Sequence, residues 1–593
     1  MKRLLYFVFL TFSFILGQSF TGGIKLYTDY TSYDEASAIL DLADTTDSRY
    51  GISSEIPGMT QRLGVNLFGS MLGGSASLII EAENSDWKPL LQNAEQNISR
   101  FTFGWKQNKA ALILGDYYIN ESEQFVYGRA IRGIQFSNTI GSKKNPASFN
   151  LFGGIFERAS GFDEKLPGQY QFYETGGIFR RFGVGGQFDK KWLGSITTRF
   201  MTLWAKDDDS SINESTVKPL QNFLAGVELE AEAVPEKLTF GGGFFFTQID
   251  SLPYQTVQEK SVYESINVDP ASVLDSLKTV SGSDAAFNVW ARYRDEKRSI
   301  KLYLYRLGNS YFSAGNPYLQ NDRFGANLLT SQQITNELSA HFNADVFRDN
   351  VNNSNSYPKT LSVETVPSMK YQDDLFGVSV GYQLQLERSD TLFYGNSVTI
   401  VDRLTTGPEL DFNLNFDNLS LNYSVFLSNI NDKSIVFDDS LYNTSQMLHN
   451  FSIFYGTSRI SASVGGVFST YDGGNELSGV ESLTLYGNGR FQVLPQSLIL
   501  ETSFSYQDNV VDAIRVVEEI GTYNSINVEG SVEYFFGSSY ALKLGMQYIS
   551  RDFAYTNAIA AEILSTDGLD YTYFRGQEDY TLTRPFAEIN ILF

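Results

Sequence analysis

AEINILF, Ala587 to Phe593, ends the chain on an aromatic ring. Read at period two, Ala587, Ile589, Ile591 and Phe593 share one face, and Glu588 and Asn590 share the other. Chain termini usually fray into water, so an apolar strand that runs to the last residue needs a partner on both edges. The same period recurs upstream. In LSAHFNADVF, Leu338, Ala340, Phe342, Ala344 and Val346 oppose Ser339, His341, Asn343 and Asp345. In ELDFNLNFD, Leu410, Phe412, Leu414 and Phe416 oppose Asp411, Asn413, Asn415 and Asp417. In SINVEGSVEY, Ile526, Val528, Val532 and Tyr534 oppose Asn527, Glu529, Ser531 and Glu533. These are half-buried strands, and a soluble sandwich would contain them too.

The connections between strands separate the two architectures. Walking back from Phe593, Asp552 to Asp579 is long and Gly537 to Ser539 short. Asp508 to Thr522 is long and Leu494 to Ser497 short; Ile430 to Thr444 is long and Asp417–Asn418 very short. Short turns on one side and long loops on the other mark bacterial outer-membrane barrels. The pattern predicts an all-β fold: a single large transmembrane antiparallel β-barrel of about 26 strands, with short periplasmic turns and long extracellular loops. In a closed barrel the last strand pairs with the first, which supplies the missing partner at the C-terminus.

Composition agrees. Aromatics make up 15% of the 593 residues, yet hydrophobic content is only 42%, too low for a bundle of spanning helices. No Pro-rich or Gly/Ser-rich linker divides the chain. At the N-terminus, Lys2 and Arg3 precede an apolar run from Leu4 to Leu16, followed by Gly17 and Ser19. That pattern predicts a signal peptide over residues 1–19 and a barrel over 20–593. The absence of Cys excludes a disulfide framework and thiolate metal sites. A net charge of −23 argues against nucleic-acid partners. The expected partners are outer-membrane lipid, the barrel assembly machinery and a periplasmic protein.

Three stretches resemble a family of large outer-membrane barrels from Bacteroidota-like bacteria. They are LGDYYINESEQFVYGRAIRGIQF (Leu114 to Phe136), AKDDDSSINE with the later VKPLQNFLAGVELEAE (Ala205 to Glu232), and GNPYLQNDRFG (Gly315 to Gly325). The resemblance implies an outer-membrane barrel and brings no activity or binding residues with it.

Candidate chemistry is sparse. His341 shares a face with Ser339, Asn343 and Asp345, but residues two apart on a strand lie roughly 7 Å apart, beyond hydrogen-bond reach without help from another strand. His449 is the only other histidine. The acidic run Asp207, Asp208, Asp209, Ser210 lacks the spacing of a calcium loop and reads as a solvated external loop. The run GVGG, Gly183 to Gly186, has no helix after it, so its glycines read as sites of close backbone approach. Asp269 and Pro270 can open a short amphipathic helix carrying Val273, Leu274, Leu277 and Val280, either capping a loop or folding inward as a lid. Ala36, Ile39, Leu40 and Leu42 form a similar stripe.

The sequence therefore points to an outer-membrane pore or passive transporter. Its lumen would be lined by residues such as Asp411, Asn413, Arg490, Gln492, Glu501, Glu529 and Lys543, with no catalytic, metal or cofactor site. The series Ala587, Ile589, Ile591 and Phe593 would serve as the assembly signal. The strand pattern begins directly after the leader, which leads us to expect no separate plug domain and disfavours an energy-coupled receptor. The alternative is an occluded structural barrel in a secretion, adhesion or envelope complex. An outer-membrane hydrolase ranks third.

Overall fold

The computed structural model describes residues 20–33, 58–85, 98–142, 144–159, 178–212, 218–251, 281–316, 318–351, 359–393, 396–433, 444–472, 479–495, 497–512, 519–555 and 580–592. They form one 26-stranded antiparallel sheet in which each strand pairs with the next. The sheet closes where β26 (Tyr580–Leu592) pairs with β1 (Phe20–Tyr33).

At this seam Ile24 faces Ile591 and Leu26 faces Ile589. On the opposite side of the sheet, Lys25 Nζ lies 2.6 Å from Glu588 Oε2, and Tyr27 stacks on Phe586 with ring centroids 5.9 Å apart. The terminal strand thus has a partner on both edges, as its sequence requires. Ala587, Ile589 and Ile591 share one face of it; Phe593 lies outside the described residues, as does the predicted leader.

One face of the sheet carries exposed apolar side chains around much of the circumference, including Phe244 (53% exposed), Val289 (55%), Met546 (56%) and Ile589 (44%). Patches of this extent are stable only against lipid or another apolar partner. The other face carries ion pairs such as Lys25–Glu588, Arg199–Glu228 and Lys543–Glu501.

The turns at the end where the chain enters β1 are short. The two-residue turn Leu72–Gly73, between β2 (Gly58–Met71) and β3 (Gly74–Ser85), has φ of 53° and 73°. Paired positive φ values give the twist that matches a tight hairpin. At the other end the strands run further than their sequence suggests. β23 (Leu498–Asp512) and β24 (Glu519–Phe535) extend well into the span Asp508 to Thr522 expected as loop. β17 (Phe376–Phe393) and β18 (Asn396–Phe416) reach 18 and 21 residues. Strand ends beyond the lipid keep their ladder bonds but need no apolar alternation, so the period that reveals the rest is missing there.

Prolines interrupt the ladder on one side only. Pro585 lies inside β26. The β1–β26 register passes from Asp29/Phe586 to Ser32/Thr583, leaving the rungs beside Pro585 unmade. Arg584 bridges that gap, its Nε donating to Thr31 Oγ1 (3.0 Å) and its Nη1 to Gln547 Oε1 (3.2 Å). A ring nitrogen without hydrogen cannot complete the rung.

Two strand glycines let aromatic rings lie flat on the wall. A Cβ on Gly183 would come within 2.4 Å of the Phe156 ring, and one on Gly226 within 2.4 Å of Phe245. The GVGG run is therefore a packing device inside β8 (Arg180–Trp192). The amphipathic stripes at 36–42 and 269–280 lie outside the described residues.

Candidate functional site: the barrel lumen

Two connections from the long-loop end meet on the inner face. One, residues 120–128, joins β5 (Ala110–Ile119) to β6 (Arg129–Gly141). The other, residues 308–322, joins β13 (Arg298–Leu307) to β14 (Arg323–Gln333). Tyr311 donates its hydroxyl to the Gln124 carbonyl at 2.6 Å, and Ser313 Oγ donates to the Phe125 carbonyl. The amide of Tyr127 donates to the Gly315 carbonyl at 3.1 Å, and Asn316 Nδ2 to the Glu123 carbonyl at 2.7 Å.

The joined loops are also fixed to the wall. On β10 (Leu220–Val234) and β11 (Leu238–Ser251), Asn222 and Thr247 are fully buried. Asn222 Oδ1 accepts the Ala314 amide at 3.0 Å, while Thr247 Oγ1 donates to the Phe312 carbonyl at 2.6 Å. Gln124 Nε2 donates to Tyr303 Oη on β13 at 2.7 Å, and its Oε1 accepts from Asn288 on β12 (Gly282–Arg294) at 2.8 Å. Gln124 thus spans from β5–β6 to β12–β13. On the convex outside that path would cross Phe200, Phe223 and Phe244, all exposed, so it crosses the lumen.

Beneath the loops the lumen is apolar. Phe125, Val126 and Tyr311 pack with Phe152, Met201, Leu203, Leu224, Phe245 and Leu307 in one buried cluster. At its margin Asn150 Nδ2 donates to Glu121 Oε1 at 2.9 Å, and Arg199 bridges Asp189 (3.1 Å) and Glu228 (2.7 Å). Burial raises the Glu121 carboxyl above its ordinary value, opposed by the Asn150 hydrogen bond and the Arg199 charge. Burial also drives the Tyr311 phenol well upward.

Sequence reasoning assigned none of this. Of the three stretches that carry the family resemblance, Leu114 to Phe136 contains the first loop, Gly315 to Gly325 contains only the end of the second, and Ala205 to Glu232 contains Asn222. A further local signal was present. Phe200–Ala205 and Phe244–Phe246 are nearly continuous apolar runs, which mean a strand covered on both faces.

The seven residues proposed as lumen-lining lie on the inner face in two sectors. Arg490 Nε is 3.3 Å from Glu501 Oε1, and Lys543 Nζ is 2.6 Å from Glu501 Oε2. They belong to β22 (Val480–Leu494), β23 and β25 (Tyr540–Tyr555). Gln492 lies two residues beyond Arg490 on the same face, and Glu529 stands opposite Ser503 and Gln547. With Lys25–Glu588 they make a charged belt across the closing seam. Asp411 and Asn413 lie elsewhere, in a recess of ≈ 290 Å³ on the inner wall.

The remaining candidates change more. Ser339 Oγ and His341 Nε2 are 3.0 Å apart, which corrects the expectation that this spacing is out of reach. The Cα positions are distant, but the long imidazole leans along the strand to meet the hydroxyl. His449 lies on the outward face with Nδ1 2.7 Å from Tyr423 Oη. The acidic run is not all loop: β9 (Ile196–Asp208) includes Asp207, which is buried and holds Arg181 at 2.7 Å. Asp208 accepts from Ser210 Oγ at 2.7 Å and closes the turn. Among the described residues no group of three or more acidic or histidine side chains converges as a metal site, and no helix is long and apolar enough to cross a membrane.

No protein-family model and no curated protein matches the chain. Solved structures with a similar fold include the FrpB iron transporter of Neisseria meningitidis in its apoprotein form, 9% identical, covering 97% of this chain and 81% of that one at a TM-score of 0.38. The siderophore receptor PirA of Acinetobacter baumannii is 10% identical, with coverage of 97% and 80% and a TM-score of 0.40. A mutant of the ferric enterobactin receptor PfeA of Pseudomonas aeruginosa is 9% identical, with coverage of 97% and 80% and a TM-score of 0.44. A closed sheet of 26 strands with an apolar outer face and polar inner sectors defines a class: the chain is an outer-membrane β-barrel.

Proposed function

We propose that this barrel is a passive channel for small polar solutes, with the loops at 120–128 and 308–322 as a fixed constriction. One observation carries the reading: the lumen is divided. The sector from β5 to β14 is filled by the joined loops and their apolar core. The sector from β15 (Leu338–Asp349) round to β26 instead presents polar side chains to open space, among them Asn422, Asn450 and Arg490. A barrel of this strand number would otherwise enclose a wide aqueous lumen, and the filled sector narrows it. The belt around Glu501 carries both signs, so ion selectivity should be weak.

The buried loop core also favours a second reading, an occluded structural barrel in a secretion, adhesion or envelope complex. Purified protein in planar bilayers separates the two. Stable unitary current steps support the channel; silence together with co-purifying proteins supports the scaffold. Among the described residues the Ser339–His341 pair has no carboxylate partner, and we read it as part of the polar wall rather than as a nucleophile. Lipid or peptide turnover abolished by His341→Ala would overturn that.

A further inference from the structure

We propose that the recess on β16 (Lys359–Gln372) to β20 (Thr444–Gly456), including β19 (Leu419–Asp432), is a binding site for an uncharged polyhydroxylated solute. It rests on the channel reading for its place in transport, but binding itself can be tested apart from conduction. The recess measures ≈ 290 Å³ and draws its lining from five consecutive strands. That is close to the lower end of ligand pockets, about 300 Å³.

Its chemistry differs from the rest of the inner wall. The belt near the seam is built from paired charges, Arg490–Glu501–Lys543 and Lys25–Glu588. The recess holds one cation, Lys370, and one carboxylate, Asp411, among Ser, Asn and Gln side chains. Asn422 Nδ2 donates to Ser452 Oγ at 3.3 Å. By contrast, the side chains of Lys370, Ser379, Asp411, Ser424 and Asn450 make no hydrogen bond or ion pair with the described residues. They offer donors and acceptors of both kinds, on one surface, without net charge. A charged solute would meet as much repulsion as attraction there. A molecule whose rim is hydroxyl groups, each both donor and acceptor, uses every position.

The test is saturation-transfer NMR of maltose with the detergent-solubilised barrel, with sodium succinate and choline chloride as charged comparators. Maltose should give a saturable signal and the two ions none. Ser424→Val with Asn450→Leu fills the recess with apolar atoms and should weaken maltose binding roughly tenfold, about 1.4 kcal/mol. Retained heat-modifiable mobility in SDS would show that the variant still folds. Saturable maltose binding lost in the variant supports the site, even if bilayers stay silent and the channel reading fails. Liposomes that swell in maltose without saturable binding overturn the site and leave the channel standing. So does binding that is equal in the wild type and the filled variant.

Discussion

The hydroxyl of Tyr311 donates to the carbonyl of Gln124 at 2.6 Å, joining loops whose residues are 187 positions apart in the chain. Tyr311 is 1% exposed and Gln124 2%, so neither group can turn to water instead. Tyr311→Phe keeps the ring in the apolar core but leaves a buried carbonyl unpaired, at a cost of ~1–3 kcal/mol. The barrel itself should keep its heat resistance in SDS, because no rung of the sheet is touched. Hydrogen exchange over 120–128 and 308–316 should accelerate correspondingly. Unchanged protection in both loops would mean that this contact does not hold them.

Gly226→Val tests the close approach of wall and ring. A Cβ at Gly226 would lie 2.4 Å from the Phe245 ring, which is fully buried and cannot swing away. Overpacking of this kind costs ~1–3 kcal/mol. The SDS heat transition should fall, and urea unfolding should shift to lower denaturant. An unchanged transition would show that Phe245 has room to move.

The barrel and its seam were legible because their signals are periodic and repeated. Leu410 to Phe416 alternates without a break, and Ala587 to Ile591 does the same at the edge that closes the sheet. The in-folded loops were not legible. Their anchors, Asn222 and Thr247, are ordinary polar residues on inward positions, where a polar residue is expected by default. What sets them apart is burial by a loop about 90 residues away for Asn222, as in its 3.0 Å contact with the Ala314 amide. No spacing rule encodes that. The lumen charges were legible as a face, but not as two sectors, because neighbouring strands had to be placed side by side first.

Glu121→Gln probes the buried carboxyl at the margin of the loop core. Burial raises its pKa in the folded state, against the Asn150 hydrogen bond, with Arg199 lowering it, Asp189 raising it and Gln187 lowering it. The folded state then holds this proton more tightly than the unfolded chain, so stability falls as pH rises from the unfolded pKa through the folded one. Glutamine keeps the oxygen that accepts from Asn150 at 2.9 Å and removes the titration. The variant should protect residues 120–128 better than wild type at about pH 7, with the advantage disappearing near pH 4. An advantage of equal size at both values would contradict the assignment.

The central claim is a water-filled polar sector that conducts, and adjacent residues on opposite faces test it. Asn422 faces the lumen and Tyr423 the lipid, and the chain has no native Cys to give background. Single-channel current would be recorded from Asn422→Cys and Tyr423→Cys, each before and after adding a bulky, charged, membrane-impermeant thiol reagent. The Asn422 variant should show open steps whose amplitude falls on modification, and the Tyr423 variant should conduct unchanged. Absence of current in both, or a fall confined to the Tyr423 variant, would contradict the open polar lumen.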